Sequence, residues 1–258
     1  MRALVEEDIE ALLDAWPQLR RRPGSRHGVC TLAGPFGFEC APPGLPPIAD
    51  TYALRLEIPL GIRGALLRVF EEGGRLRRDP DEHVNDDGSF CLGSPLRLQL
   101  LLRDCAGLVA YVEGCVVPFL YAASWRSQGN AGYPFHELPH YGPGLTEDYG
   151  ALVGIRGHRQ IASSLGLLTL NRRVANKHRC PCSSGARLGM CSCHHRLNAL
   201  RALAPRSFWR QTLLEYLRMN PLPEILPRPK RQRKPRNWLH NRASVLRGKQ
   251  RSAAGAAG

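Results

Sequence analysis

Two clusters in this chain have the residue types and the spacing for chemistry. The first is the run His83-Val84-Asn85-Asp86-Asp87-Gly88-Ser89-Phe90-Cys91-Leu92. A cysteine follows a Gly-Ser turn and a His-x-Asn pair, which predicts a thiol on an exposed loop beside groups that hydrogen-bond a reacting carbonyl. The nucleophile is the thiolate, and an ordinary cysteine has a pKa of about 8.5. Nothing adjacent in sequence lowers that of Cys91. Asp86 and Asp87, if close, raise it, because negative charge disfavours the thiolate. That argues against an unusually reactive redox thiol. The amide N–H of Asn85 can donate to a developing negative charge. His83 is read as a residue that shapes the loop by hydrogen bonding to backbone, Gly88 as the residue that permits the turn, and Leu92 as an anchor to the core. The bland alternative is a buried thiol after a turn.

The second cluster is Cys180-Pro181-Cys182-Ser183-Ser184-Gly185, then five residues, then Cys191-Ser192-Cys193-His194-His195. Three thiolates and a fourth soft or imidazole ligand suit tetrahedral Zn2+. With every ligand position used, the metal is expected to be structural. A disulfide or redox cluster is the competing reading. The nine cysteines are odd in number and unevenly spaced, and four crowded thiols in a reducing compartment read better as a metal site. Cys30, Cys40, Cys105 and Cys115 lie among apolar residues and read as inert core thiols.

Several elements must hold these clusters in place. Ile9, Leu12, Leu13 and Trp16 recur at helical spacing, so a helix is predicted over 5–16, ended by Pro17 and the Arg20-Arg21-Arg22-Pro23-Gly24 run. Strands are predicted over 28–40, 51–58 and 65–70, and in the middle one Tyr52, Leu54, Leu56 and Ile58 alternate onto one face. Pro/Gly clusters over 42–47 and at Gly73-Gly74 break the chain between and after them, which implies an antiparallel meander. An interrupted helical region over 95–125 and a short helix over 145–152 come next. Helices flanking the cysteine cluster follow from His158 onward. No internal repeat is evident.

The first cluster resembles the active-site loop of ubiquitin-conjugating (E2) enzymes: His-Pro-Asn, a short polar loop, then Gly-x-x-Cys-Leu, matched by Gly88 to Leu92. The order helix, antiparallel sheet, extended loop, helix is also that of E2 enzymes, and it extends the resemblance over roughly the first 150 residues. The run Phe135-His136-Glu137-Leu138-Pro139-His140 is similar to a Phe-x-Glu-Leu-x-His stretch of bacterial E2-like proteins, with Tyr141 where a Gly is expected. Val84 replaces the Pro of His-Pro-Asn, the step from Asn85 to Cys91 is short, and the usual Trp after the cysteine is missing. These departures fit a divergent bacterial branch. The resemblance implies an α+β, E2/UBC-like antiparallel meander with flanking helices and a small helical zinc-knuckle region. It makes Cys91 the carrier that accepts a ubiquitin-like modifier as a thioester from an E1-like activating enzyme and passes it to a target amine. Asn85 takes the oxyanion or structural role and His83 the loop role. His136 and His140 are acid–base candidates whose more ordinary role is structural. No ATP-binding motif is visible, so activation comes from elsewhere.

The second cluster looks like the SEC-C zinc motif, Cys-x-Cys-x-Ser-Gly-x5-Cys followed by His or Cys. Ser192 stands where its last ligand is expected, so Cys193 or His194 substitutes. Cys193 is favoured, which makes the ligand set Cys180, Cys182, Cys191 and Cys193. The division expected is an E2-like domain over 1–155, a helical zinc-knuckle region over 156–218 and a basic tail over 219–258.

The formal net charge is +14. After Glu224 there is no acidic residue but a run of Arg and Lys from Arg228 to Arg251, so most of the excess is assigned to the tail. With Trp238 for stacking, that tail suits nucleic-acid phosphates; a solvated tail and a source of acceptor lysines are the other readings. A catalytically silent E2-like scaffold, binding nucleic acid or protein through knuckle and tail, is the rival to the carrier. Arg97, Arg103, Asp104 and Glu113 interrupt the apolar stretch over 96–123, so no membrane partner is expected. Acidic residues near the N-terminus argue against a secretory signal, and a cytoplasmic location is expected.

Overall fold

A computed structural model describes residues 3–23, 28–62, 64–135 and 141–222. The described elements are α+β: a four-stranded antiparallel sheet and eight α-helices. Residues Met1–Pro221 form one compact unit, and the second unit, Leu222–Gly258, lies outside the described residues apart from Leu222. The basic tail is therefore not described.

Helix α1 (Glu6–Ala15) buries Ile9 and Leu12. Its first turn is closed by the Asp8 carboxylate, which accepts from the Val5 N–H at 3.0 Å. The sheet runs in sequence order, β1 (Arg20–Arg21), β2 (Val29–Cys40), β3 (Ile48–Pro59) and β4 (Arg68–Glu71). β2 and β3 pair along their whole length, from Val29 opposite Pro59 to Cys40 opposite Ile48. The alternation in β3 puts Tyr52, Leu54, Leu56 and Ile58 in the core, as their spacing requires. The other face carries charge, with Arg55 lying over the Phe70 ring at 3.7 Å.

Helices α2 (Pro95–Asp104) and α3 (Leu108–Ser127) follow the thiol loop. The break between them falls at Cys105–Gly107, inside the single interrupted region expected from the sequence. By length and composition α3 is the one described helix able to cross a membrane. Here its Tyr111, Val112, Val116, Leu120 and Tyr121 join the sheet and α1 in one apolar cluster. A second cluster is built from α4 (Tyr141–Val153), α5 (His158–Leu168), α7 (Cys193–Leu203) and α8 (Arg206–Met219), with Trp209 at full burial. The short α6 (Arg172–Ala175) leads into the cysteine cluster. Helix α2 serves both cores, with Leu98 and Leu102 in the first and Leu96 in the second.

A polar network fastens α3 to the sheet. The Ser124 hydroxyl donates to Asp50 at 2.7 Å and lies 2.9 Å from the Tyr52 hydroxyl. Arg75 donates to both Asp50 oxygens, at 2.9 and 2.8 Å, and lies over the Tyr52 ring at 3.9 Å. The Arg75 hydrogen bonds, with those of Ser124 and the Thr51 N–H, hold the Asp50 carboxyl down to about 2, against an opposing push from burial. A folded-state pKa below the unfolded one stabilises above the unfolded value, about 3.9, and that contribution fades as pH falls toward about 2. Asp50→Asn is therefore expected to lower stability by about 1 to 2 kcal/mol at pH 7, discounted for partial exposure. Urea unfolding checks this: the gap between variant and wild type narrows from pH 4 toward pH 2.

Candidate functional site

The thiol loop is a tight hairpin laid along the edge of the sheet. Val84 and Phe90 form an antiparallel bridge, and Ser89 bridges to Phe70 of β4. The Asn85 N–H donates to the Ser89 carbonyl at 2.9 Å, and the Cys91 N–H to the His83 carbonyl at 2.7 Å. Gly88 has φ +84, the left-handed conformation that closes such a turn and that side chains resist. Phe90 stacks on Phe119 of α3 with centroids 4.1 Å apart, and Leu92 packs against the first core. The Cys91 end of the loop is thereby tied to the core.

The side chains of the loop then fall into place. Ladder alternation sets Val84 and Phe90 on one side and Asn85, Ser89 and Cys91 on the other. The Asn85 amide donates to the Ser89 hydroxyl at 3.1 Å rather than to Cys91. His83 is itself left-handed, φ 54, and its carbonyl holds the backbone of Cys91. Its ring meets the edge of Tyr133 at 4.5 Å. Tyr133 donates in turn to the Asp81 carbonyl at 2.8 Å and accepts from Arg126 at 2.7 Å. The chain after α3 is thus pinned against the loop, a contact that no local pattern in the sequence announces. His136 and His140 lie outside the described residues.

Cys91 is exposed. Even so, enough protein surrounds its sulfur that desolvation raises its pKa, offset in part by the Gly93 N–H. The expected cause was Asp86 and Asp87, and the physical cause is different. Asp87 is turned away: it accepts from the Ser89 N–H at 2.9 Å and the Ser89 hydroxyl at 2.6 Å, and it pairs with Arg68. These contacts hold the Asp87 carboxyl below its usual range.

The four cysteines Cys180, Cys182, Cys191 and Cys193 come together, with all four sulfurs within 4.8 Å of one another. The Cys182 and Cys191 sulfurs are 3.5 Å apart and all four are free thiols. Ligands in a tetrahedron with metal–sulfur bonds of about 2.3 Å lie about 3.8 Å apart, so the spacing fits one ion. A small hairpin presents the first pair. Arg179 bridges Arg187, the Cys180 N–H donates to the Ala186 carbonyl at 2.8 Å, and Ser183 is left-handed at φ 65. The second pair comes from the turn into α7, Cys191 two residues before it and Cys193 at its first position; the Cys193 N–H draws the Cys191 thiol down while burial pushes Cys193 up. His194 turns to the Cys191 carbonyl, with Nδ1 2.7 Å away, and stands outside the sulfur group, so Cys193 completes it.

Without an ion the four thiols divide. Hydrogen bonds led by that from Ser184 pull Cys182 down to about 6, while burial pushes Cys180 up. Cys180, Cys182, Cys191 and Cys193 would hold a cation as thiolates, and its charge would offset theirs. The residues therefore fit a soft divalent metal in a closed four-sulfur shell.

Asp148 is a further residue of the site that sequence reasoning missed. It is fully buried, accepts from the Ser94 hydroxyl and from Arg97 Nε at 2.9 Å, and so links α4 to the N-terminus of α2, just after the thiol. Polar residues three apart at a helix start hint at a cap, but nothing in sequence connects them to position 148.

No protein-family model, curated protein or solved structure matches this chain.

The cysteine cluster is expected to carry about one metal ion per chain. Elemental analysis beside a thiol titration checks it. Four thiols stay unreactive in the native protein and become reactive on chelation, while Cys182→Ser carries substoichiometric metal.

Proposed function

We propose that the protein is an E2-type carrier, with Cys91 taking a ubiquitin-like modifier as a thioester from an E1-like enzyme and passing it to a target amine. The observation that carries the reading is the placement of Cys91. Outside the metal cluster it is the exposed cysteine of the chain, on a rigid hairpin, after an antiparallel meander and before two helices. In the first step the Cys91 thiolate attacks the incoming thioester carbonyl and the donor enzyme's thiolate leaves. In the second the amine attacks, an amide forms, Cys91 leaves as thiolate and the amine loses a proton. Thioester exchange is nearly isoenergetic, so it does not require a strongly activated thiol. The raised thiol pKa disfavours the redox-protein reading, since susceptibility to oxidation follows thiolate character.

Asn85 is the donor for the oxyanion of the second step. It leaves the Ser89 hydroxyl and turns along the same side of the hairpin to reach it. We further propose that the metal is Zn2+ and that its role is structural, because four thiolates leave no open coordination position. The knuckle then holds α6, the cysteine hairpin and α7 together.

The test is the non-reducing intact mass of the protein recovered from its own host, beside Cys91→Ser. A thiol-sensitive adduct of small-protein mass is expected on wild type, becoming a thiol-resistant ester or disappearing in the variant. An unmodified mass in both, with partner genes expressed, sinks the carrier reading. With purified partners, loading is expected to keep accelerating from pH 7 to 9, since the thiol pKa lies above its ordinary value. Asn85→Ala is expected to slow transfer to an amine by about 100-fold while sparing loading. An equal slowing of both steps assigns Asn85 to loop structure alone.

A further inference from the structure

The charge of this chain is not chiefly a property of its tail. Between Asp148 and Glu215 there is no acidic residue and there are eleven Lys and Arg, whereas residues 1–148 hold fourteen Lys and Arg against twenty Asp and Glu. The folded C-terminal half is therefore at +11 and the half bearing Cys91 at −6. Sequence alone carried this signal, and assigning most of the excess to residues after Glu224 passed over it.

We infer that the basic face formed by α6 and the cysteine hairpin binds the phosphate backbone of double-stranded nucleic acid. Arg172, Arg173, Lys177, Arg179 and Arg187 are all exposed. They form one continuous stretch of surface, because the Gly189 N–H donates to the Asn176 carbonyl at 3.1 Å and the Leu188 N–H to the His178 carbonyl at 2.8 Å. Those bonds fold the returning strand of the hairpin back onto the end of α6. Arg173 lies in α6 and Lys177 in the turn that follows it, whose N–H donates to the Val174 carbonyl at 3.0 Å, and Arg179 and Arg187 stand directly opposite each other in the hairpin ladder.

Like charges placed opposite each other destabilise a ladder. This pair has no carboxylate to offset them: among the described residues the ion pairs run between Glu6 and Asp148. Behind the face, Arg201 of α7 donates to the Leu167 carbonyl at 2.9 Å, and its Nε is buried without a partner. Burial and the nearby charge of Arg172 both work against its protonated form. A surface that gathers cations around an already uncompensated arginine is satisfied by an external polyanion.

The side chains between the cations name the polyanion. Single strands are held by aromatic stacking platforms, and the described stretch 171–191 that forms this face contains no Phe, Tyr or Trp. A protein partner needs an apolar centre with aromatic anchors, and the large apolar side chains exposed beside the hairpin are Val174 and Met190 alone. What remains is guanidinium and ammonium, with the exposed imidazole of His178 between Lys177 and Arg179, groups suited to phosphate and blind to base sequence. This inference is independent of the chemistry of Cys91.

Fluorescence anisotropy of the full-length protein with a labelled 20-bp DNA duplex, the RNA duplex of the same sequence and each single strand tests it. Duplex binding is expected to weaken with salt, each phosphate neutralised adding about 0.9 to the log–log slope. Arg179→Gln/Arg187→Gln is expected to weaken duplex binding about tenfold at 100 mM salt and to lower the slope by about 2. Arg173→Gln/Lys177→Gln lies outside the hairpin and does the same without touching the knuckle. A preference between the two duplexes identifies the natural source. Unchanged affinity and slope in both variants overturn the inference, as does a loss confined to Gln substitutions over 228–236. Tighter binding of the single strands, or equal displacement of the duplex by an acidic polypeptide, overturns it as well.

Discussion

Asp148 is a carboxylate removed from water, and burial of that kind is tolerated only where charge and hydrogen bonds replace the lost hydration. Its replacements, Ser94 and Arg97, both belong to the start of α2. That one requirement fixes α4 against the helix that begins four residues after Cys91. Because α2 also divides its leucines between the two apolar clusters, the sheet half and the cysteine half cannot reorient without exposing Asp148 or opening a core. The thiol loop thus rests on a scaffold whose rigidity is set outside the loop itself.

The chain uses its cysteines in three physically distinct ways, and environment decides which. Cys115 is buried beside Tyr111, where desolvation pushes its thiol up to about 12, and it acts as a small apolar residue. Cys91 has an exposed position, but enough protein surrounds its sulfur that desolvation raises its pKa. The four clustered cysteines lie within 4.8 Å of one another and could hold a metal ion between them.

The two halves also differ electrically. The meander half is acidic and its arginines are paired across the solvent face of the sheet, as Arg55 is with Glu57 and Glu72. The cysteine half has no carboxylate between Asp148 and Glu215 with which to pair its own.

Local periodicity made the central strand and its buried face legible, because alternation is a property of consecutive residues. The meander followed from short connections, and the four cysteines that could hold a metal ion from their spacing. Helix α4, expected over 145–152, extends to Tyr141–Val153, since helix ends depend on what packs at them. β1 was invisible, because two residues cannot show a period, and only pairing with Ala33 and Leu32 makes them a strand. The sequence by itself determined which residues can be core and which can ligate. Only the tertiary structure decided that Asn85 rests on Ser89, that Tyr133 meets His83, that Cys193 rather than His194 joins the sulfur cluster, and that Asp148 is buried under α2. Each of these is a meeting of side chains set by packing geometry and desolvation, which sequence spacing does not encode.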